Sequence, residues 1–333
     1  MSKRPNRFPL PKAPAATALP GTQPAPAPPP ASSKGSSPGR RAWQRFRRHR
    51  LACASLLFLA MMLLIVIVLP EILPFDPNQL GEDQYASPNS RHWFGTDVHG
   101  RDLLARVLYG ARISLVVGAL GASVSLIIGT LWGAVAGYLG GRWDGVMMRT
   151  VDVLYSLPSI IFVIVLMTAA EGWIRLWMGN AMASEQGAVW RSVLLFLGLG
   201  SVSWLTMARI VRGQILSLRS RSFVEASRAL GASHLRILFR HLLPNISGVI
   251  IVYLALTVPA VVLSESFLSF LGLGIQPPQA SLGSLIAEGA SQINPIRIYW
   301  WMVLFPVGIL TSTLLALNFV GDGLREALDP RAR

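Results

Sequence analysis

The sequence predicts an all-α integral membrane protein, with six transmembrane helices and a helix-break-helix loop projecting between two of them. Composition is the first ground: 52% of the 333 residues are hydrophobic and 14% charged, against roughly 25% charged in soluble domains. Mean hydropathy is +0.48. The second ground is length. Apolar stretches at 51–69, 113–138, 153–170, 192–211, 246–270 and 300–320 each approach the roughly 20 residues a helix needs to cross hydrocarbon.

Charge divides the chain. Eleven of the thirty Lys and Arg residues lie in positions 1–50, where there is no Asp or Glu, so the net charge of +14 belongs largely to a tail and gives no reason to expect nucleic acid as a partner. Residues 1–40 are rich in Pro, Ala, Ser and Gly and predict a disordered tail. Residues 41–112 supply a basic juxtamembrane segment, the first span and an outer loop; 113–333 supply a core of five further spans. The basic run directly before Leu51 fits an anchor on an anionic leaflet. The apolar run that follows is long for a signal peptide and ends in Pro70-Glu71 without a small-residue cleavage site, so an uncleaved first helix is expected. With cytoplasmic termini, the inside segments hold 22 Lys and Arg and the outside loops 7, as the positive-inside rule requires.

Three features narrow the function. In the second span Gly121, Ser125, Gly129, Gly133 and Gly137 recur at steps of four, a smooth face along which another helix can approach in lipid. Pro158, Pro259 and Pro306 interrupt later spans and predict kinks. The stretch EASRALGASHLRILFRHLLPN, Glu225 to Asn245, reads as helix, break, helix: Gly231 can close the first piece in the left-handed conformation, Ser233 can cap the second, and Pro244 ends it. On the second piece Leu235, Leu238, Phe239 and Leu242 share a face, suited to the bilayer surface or to a groove on a partner.

Other chemistry is thinly supported. Phosphate binding by a P-loop needs a lysine after a Gly-rich turn, and no lysine follows residue 34. Any energy drawn from a nucleotide must then come from another chain. One acid, Glu265, lies within the six spans, a slender basis for a proton relay; it is a candidate pathway residue that could meet a substrate's ammonium group, or else it reaches outer water or a donor on a neighbouring helix. The five histidines and Cys53 show no metal-ligand spacing, and no catalytic residue or metal ligand is expected. A secondary transporter would show an internal repeat, and an intramembrane enzyme would show a nucleophile and base at membrane depth; neither pattern is evident.

At Glu225, Ala226, Gly231, Leu243 and Pro244 the chain resembles the permeases of ATP-binding-cassette importers, with Ser227 in place of that signature's second alanine. FGTDVHGRDLLARVLYGARISL (Phe94 to Leu115), GYLGGRWDGVMMRTVD (Gly137 to Asp152), LSFLGLGIQPP (Leu268 to Pro278) and NFVGDGLREALDPR (Asn318 to Arg331) look like the C-type subunit of the dipeptide and oligopeptide branch. Leu282 stands where that branch suggests a tryptophan. The resemblance implies a type I permease fold in the bacterial cytoplasmic membrane, paired with a homologous permease, two ATPases that bind ATP and Mg, and an extracytoplasmic binding protein. It also implies that the 225–244 loop couples to an ATPase through Leu235, Leu238 and Phe239, with no cofactor in this chain.

Overall fold

A computed structural model of the chain describes residues 38–72, 76–178, 185–275 and 279–329. Residues 1–37 of the expected tail lie outside the described residues, and Pro38–Arg48 already form the first helix, α1. The others are α2 (Arg50–Ile72), α3 (Leu103–Leu139), α4 (Gly141–Tyr155), α5 (Ser159–Met178), α6 (Glu185–Leu218), α7 (Ser222–Ala229), α8 (His234–Phe270), α9 (Leu282–Ser291) and α10 (Trp300–Leu328). Among the described residues strand-like pairing is limited to one bridge, between Thr96 and Asp102.

Four helices are long and apolar enough to cross a membrane, α2, α3, α8 and α10, or five if α4 and α5 form one broken span. The expected count of six is therefore not reached among the described residues; the 192–211 stretch falls in α6, a helix of 34 residues. Two boundaries differ from expectation. The second span starts at Leu103, ten residues early, because the Asp102 carboxylate accepts the Ala105 N–H at 2.9 Å and caps the helix there. At 37 residues, α3 is about 55 Å long, well beyond the roughly 30 Å of hydrocarbon, so it projects past it. The third expected span is broken: α4 and α5 meet at 92°. Pro158 explains the break, since proline disfavours helical geometry in the residue before it. Pro259 and Pro306, in contrast, lie inside continuous helices.

The central rod is α3, which lies along α6 and also packs on α8. Its small-residue face makes these contacts within the chain. A Cβ on Gly129 would stand 2.6 Å from Met207 Cβ and 2.8 Å from the Trp204 carbonyl oxygen. One on Gly137 would stand 2.8 Å from the Arg212 carbonyl, and one on Gly133 would collide with the Ala208 carbonyl. Gly121 faces Val261 of α8 at 2.8 Å. Ser125 is fully buried in the same stripe. Without side chains the backbones approach, and dispersion contacts replace the hydrophobic force that lipid does not supply.

Two apolar clusters mark the ends of α3. Near its start, Leu103, Val107 and Leu108 pack with Met62, Leu282, Leu285 and Trp301. Near its finish, Ala134 packs with Met207, Val211, Ile215, Val224, Ile237, Leu238, Leu242 and Ile246.

Replacing Gly133 with Val should destabilise the chain by about 1–3 kcal/mol, the usual cost of overpacking. Gly145, with open space at its Cβ position, should accept Ala at no cost. Thermal unfolding of the purified protein in detergent separates the two; equal melting temperatures would mean that the stripe does not set the helix spacing.

Candidate functional site: the projecting loop and a buried carboxylate

The projecting loop is built by local hydrogen bonding. Gly231 has φ +78°; its N–H donates to the Arg228 carbonyl at 2.9 Å, and the Ala232 N–H reaches Ser227 at 3.0 Å. That pair is a Schellman closure of α7, which glycine permits without a Cβ penalty. Ser233 then accepts the Arg236 N–H at 3.4 Å and starts α8.

Pro244 does not end the second piece as expected. The helix runs on, through an α-turn at His234–Arg236, a π-helical stretch at Ile237–Leu242 and an α-helical rod at Leu243–Phe270. The Leu243 N–H bonds to the Leu238 carbonyl, five residues back. Proline has no N–H to donate, and its ring crowds the carbonyl four residues earlier; the wide π turn just before it loosens that contact.

This extra residue in the turn also divides the expected apolar face. Leu238 is 5% exposed and Leu242 fully buried, both in this chain's own core beside Ile237 and Val224. Leu238 is therefore a packing residue, not an anchor offered to a partner. Leu235 at 69% and Phe239 at 53% face outward, with Leu230 at 88%. Glu225, Ala226, Gly231 and Pro244 are exposed, and Leu243 is half-buried. The loop is tied to the end of α3 by the Tyr138 hydroxyl, 2.8 Å from His234 Nδ1.

Glu265 lies towards the other end of the same helix and is fully buried, so it does not reach water. A donor on a neighbouring helix is what it has: Ser114 of α3 donates to Oε2 at 2.9 Å. Ser269 donates to Oε1 at 2.7 Å and Ser266 to Oε2 at 3.4 Å. Ser269 in turn accepts the Ile275 N–H at 3.1 Å, and Ser114 accepts the Leu282 N–H at 3.4 Å. Each of these two hydroxyls thus passes a backbone donor on to the carboxyl group, clasping α3, α8 and the start of α9 together. Leu282, 1% exposed, contributes its backbone to this clasp.

A charged cluster at the start of α3 was not anticipated from the sequence. Arg106, 2% exposed, donates to Asp97 at 2.7 Å and, through Nη2, to Glu288 of α9 at 2.9 Å. Arg101 donates to Asp97 at 2.7 Å, and His92 lies 2.8 Å from the capping Asp102. The Trp301 indole donates to the Thr96 carbonyl at 3.3 Å. The only available signal was Glu288, the sole acid between Gln276 and Tyr299; its pairing across 182 residues has no local pattern. Arg209 of α6 and Asp152 of α4 form an exposed ion pair at 2.8 Å.

Residues 129–333 match the family described as binding-protein-dependent transport system inner membrane component. Residues 37–91 match the N-terminal TM domain of oligopeptide transport permease C. The chain is similar to the oligopeptide transport system permease protein OppC of Escherichia coli (strain K12), 46% identical over 309 residues that cover 91% of this chain and 95% of that one. It is 47% identical to OppC of Salmonella typhimurium over 309 residues, with coverage of 91% and 95%. Identity to the dipeptide transport system permease protein DppC of Bacillus subtilis (strain 168) is 42% over 293 residues, 88% of this chain and 85% of the other.

Replacing Glu265 with Leu removes the acceptor of three buried hydroxyls, and an unsatisfied buried polar group costs about 1–3 kcal/mol. Gln keeps an acceptor oxygen and should cost less, with transport only modestly altered. Thermal unfolding in detergent, with transport assayed in parallel, tests both variants. A Leu variant as stable as wild type would show that the clasp contributes nothing.

Proposed function

The chain belongs to the family of binding-protein-dependent transport system inner membrane components and is a multi-pass transport permease subunit; we propose that its cargo is peptides and that it forms half of the path of an ATP-binding-cassette importer. The other half is a homologous permease. Two ATPases, which bind ATP and Mg, couple through the 225–244 loop, and an extracytoplasmic binding protein delivers the substrate. This chain has no catalytic site and no cofactor of its own, and nucleic acid is not among its partners.

The observation that carries this reading is the loop itself. A rigid helix pair, closed at Gly231, offers Leu235 and Phe239 to the outside, yet its other apolar face is locked under α6 and α3. A partner that displaced the exposed side would move α8 with it. Glu265 then serves the path as a positioning residue, by tying the far part of that same helix to α3 and α9. The termini lie in the cytoplasm of a bacterial cell, in keeping with the excess of Lys and Arg on that side.

Phe239→Asp and Leu235→Asp should leave the folded permease intact and weaken its complex with the ATPases by about tenfold or more, since a central anchor is worth about 2 kcal/mol. Leu238→Asp should instead lower the melting temperature of the isolated chain. Co-purification of the ATPases and substrate-stimulated ATP turnover decide; wild-type values for both surface variants would remove the coupling role. Ile296, 88% exposed, tests the orientation. In a Cys53→Ser background, Ile296→Cys should react with an impermeant maleimide in intact cells. Labelling only after lysis would invert the topology.

A further inference from the structure

The basic segment before the first span has two faces in the structure. Phe46 of α1, 4% exposed, packs with Ala52 of α2 and with Ala327, Leu324 and Val320 at the end of α10. A Cβ on Gly323 would collide with Ala52 and stand 3.1 Å from the Phe46 ring, so this docking needs the glycine. Arg45 adds a hydrogen bond to the Asp329 carbonyl at 3.2 Å, and His49 Nε2 stands 3.7 Å from Glu326. The helix is thus held from one side. On the rest of its circumference Arg40, Arg47 and Arg48 are exposed, as is Arg50 at the start of α2, and none of these four makes an ion pair among the described residues.

Its height relative to the bilayer follows from the chain. Only His49 separates the end of α1 from α2, and from Leu51 to Leu69 there is no charged residue. The arginines therefore stand where the chain enters hydrocarbon, at headgroup depth. Leu51 and Leu57, at the start of α2, are 58% and 70% exposed, so acyl chains reach the protein directly beneath them. Trp43, 55% exposed, adds the amphipathic ring that favours this interface. No acid occurs in residues 1–50, and the nearby Glu326 lies against His49 on the docked side.

The geometry points to a binding site for anionic phospholipid on this chain, with Arg40, Arg47, Arg48 and Arg50 holding the headgroup and the exposed start of α2 receiving the acyl chains. Guanidinium matches the phosphate oxygens in a two-pronged hydrogen bond. Because the inner face of α1 rests on the last turns of α10, bound lipid also pins the end of that helix.

The test uses the full chain reconstituted in phosphatidylcholine vesicles, with spin-labelled phosphatidylglycerol or spin-labelled phosphatidylcholine as the probe. The motionally restricted fraction should favour phosphatidylglycerol. The R40Q/R47Q/R48Q/R50Q variant should lose that preference by about fivefold or more, the effect of roughly one arginine near an anionic surface. The corresponding Arg→Lys variant should keep most of the preference, and removal of residues 1–37 should leave it unchanged. Equal association of both lipids with the wild type overturns the proposal, as does a preference that survives in the Gln variant. A Gln variant that retains the preference but loses the ATPases on co-purification would reassign the face to an acidic protein partner. A preference abolished by removing residues 1–37 would place it in the tail.

Discussion

The missing side chains at Gly129 and Gly133 set how closely α3 and α6 stand, and the rest of the molecule is arranged around that distance. A helix pair in lipid gains nothing by excluding lipid, which is as apolar as its own side chains, so fit alone decides whether it holds. Backbone contact at Ala208 and Trp204 gives that fit. It also fixes the shelf formed by Met207, Val211 and Ile215, under which Val224, Ile237 and Leu242 are buried. The loop is thereby placed by a contact that its own sequence does not contain.

Continuity of α8 gives the placement its consequence. From His234 to Phe270 the helix spans 37 residues, about 55 Å, with the loop's exposed Leu235 and Phe239 near one end and Glu265 near the other. Had Pro244 broken the chain, as its residue type suggested, the loop would hang from the span on a flexible joint. The π stretch lets the helix carry the proline and continue. A force on the loop is then delivered along a rod, and the serine clasp around Glu265 lies on its path.

Much of this was legible in the sequence, and the failures have physical causes. Span positions came from apolar length, the closure at Gly231 from its backbone freedom, and the close-packing stripe from the four-residue recurrence of small residues in α3. What failed depended on tertiary context. Leu238 was placed on an outward face because a period of 3.6 was assumed, and the π turn slips that period by about one residue. The early start of α3 was hidden because Asp102 precedes a segment that also carries Arg106 and Arg112, charges expected in a loop; Arg106 enters the helix because Asp97 and Glu288 neutralise it. For Glu265 a substrate's ammonium group, outer water and a donor on a neighbouring helix were all open; the donor is Ser114, and at 151 residues distant in the chain no local pattern could single it out.

The two ends of α3 are held in the same manner, each by an apolar cluster fastened with directional contacts, and this bears on how the chain can move. At the start of α3 an apolar cluster around Leu103, Val107 and Trp301 is joined by directional contacts, the pairing of Arg106 with buried Asp97 and half-buried Glu288 and the hydroxyl bonds to Glu265, which lose most of their value when geometry slips, because a buried charge or donor left unpaired is costly. At the finish of α3 the apolar contacts between α6 and the loop are likewise joined by directional ones, the Tyr138 hydroxyl on His234 and the two-pronged pairing of Arg212 with Asp144. A displacement applied at the loop would therefore be carried along α8 and not absorbed where it is applied, because close-packed side chains transmit strain.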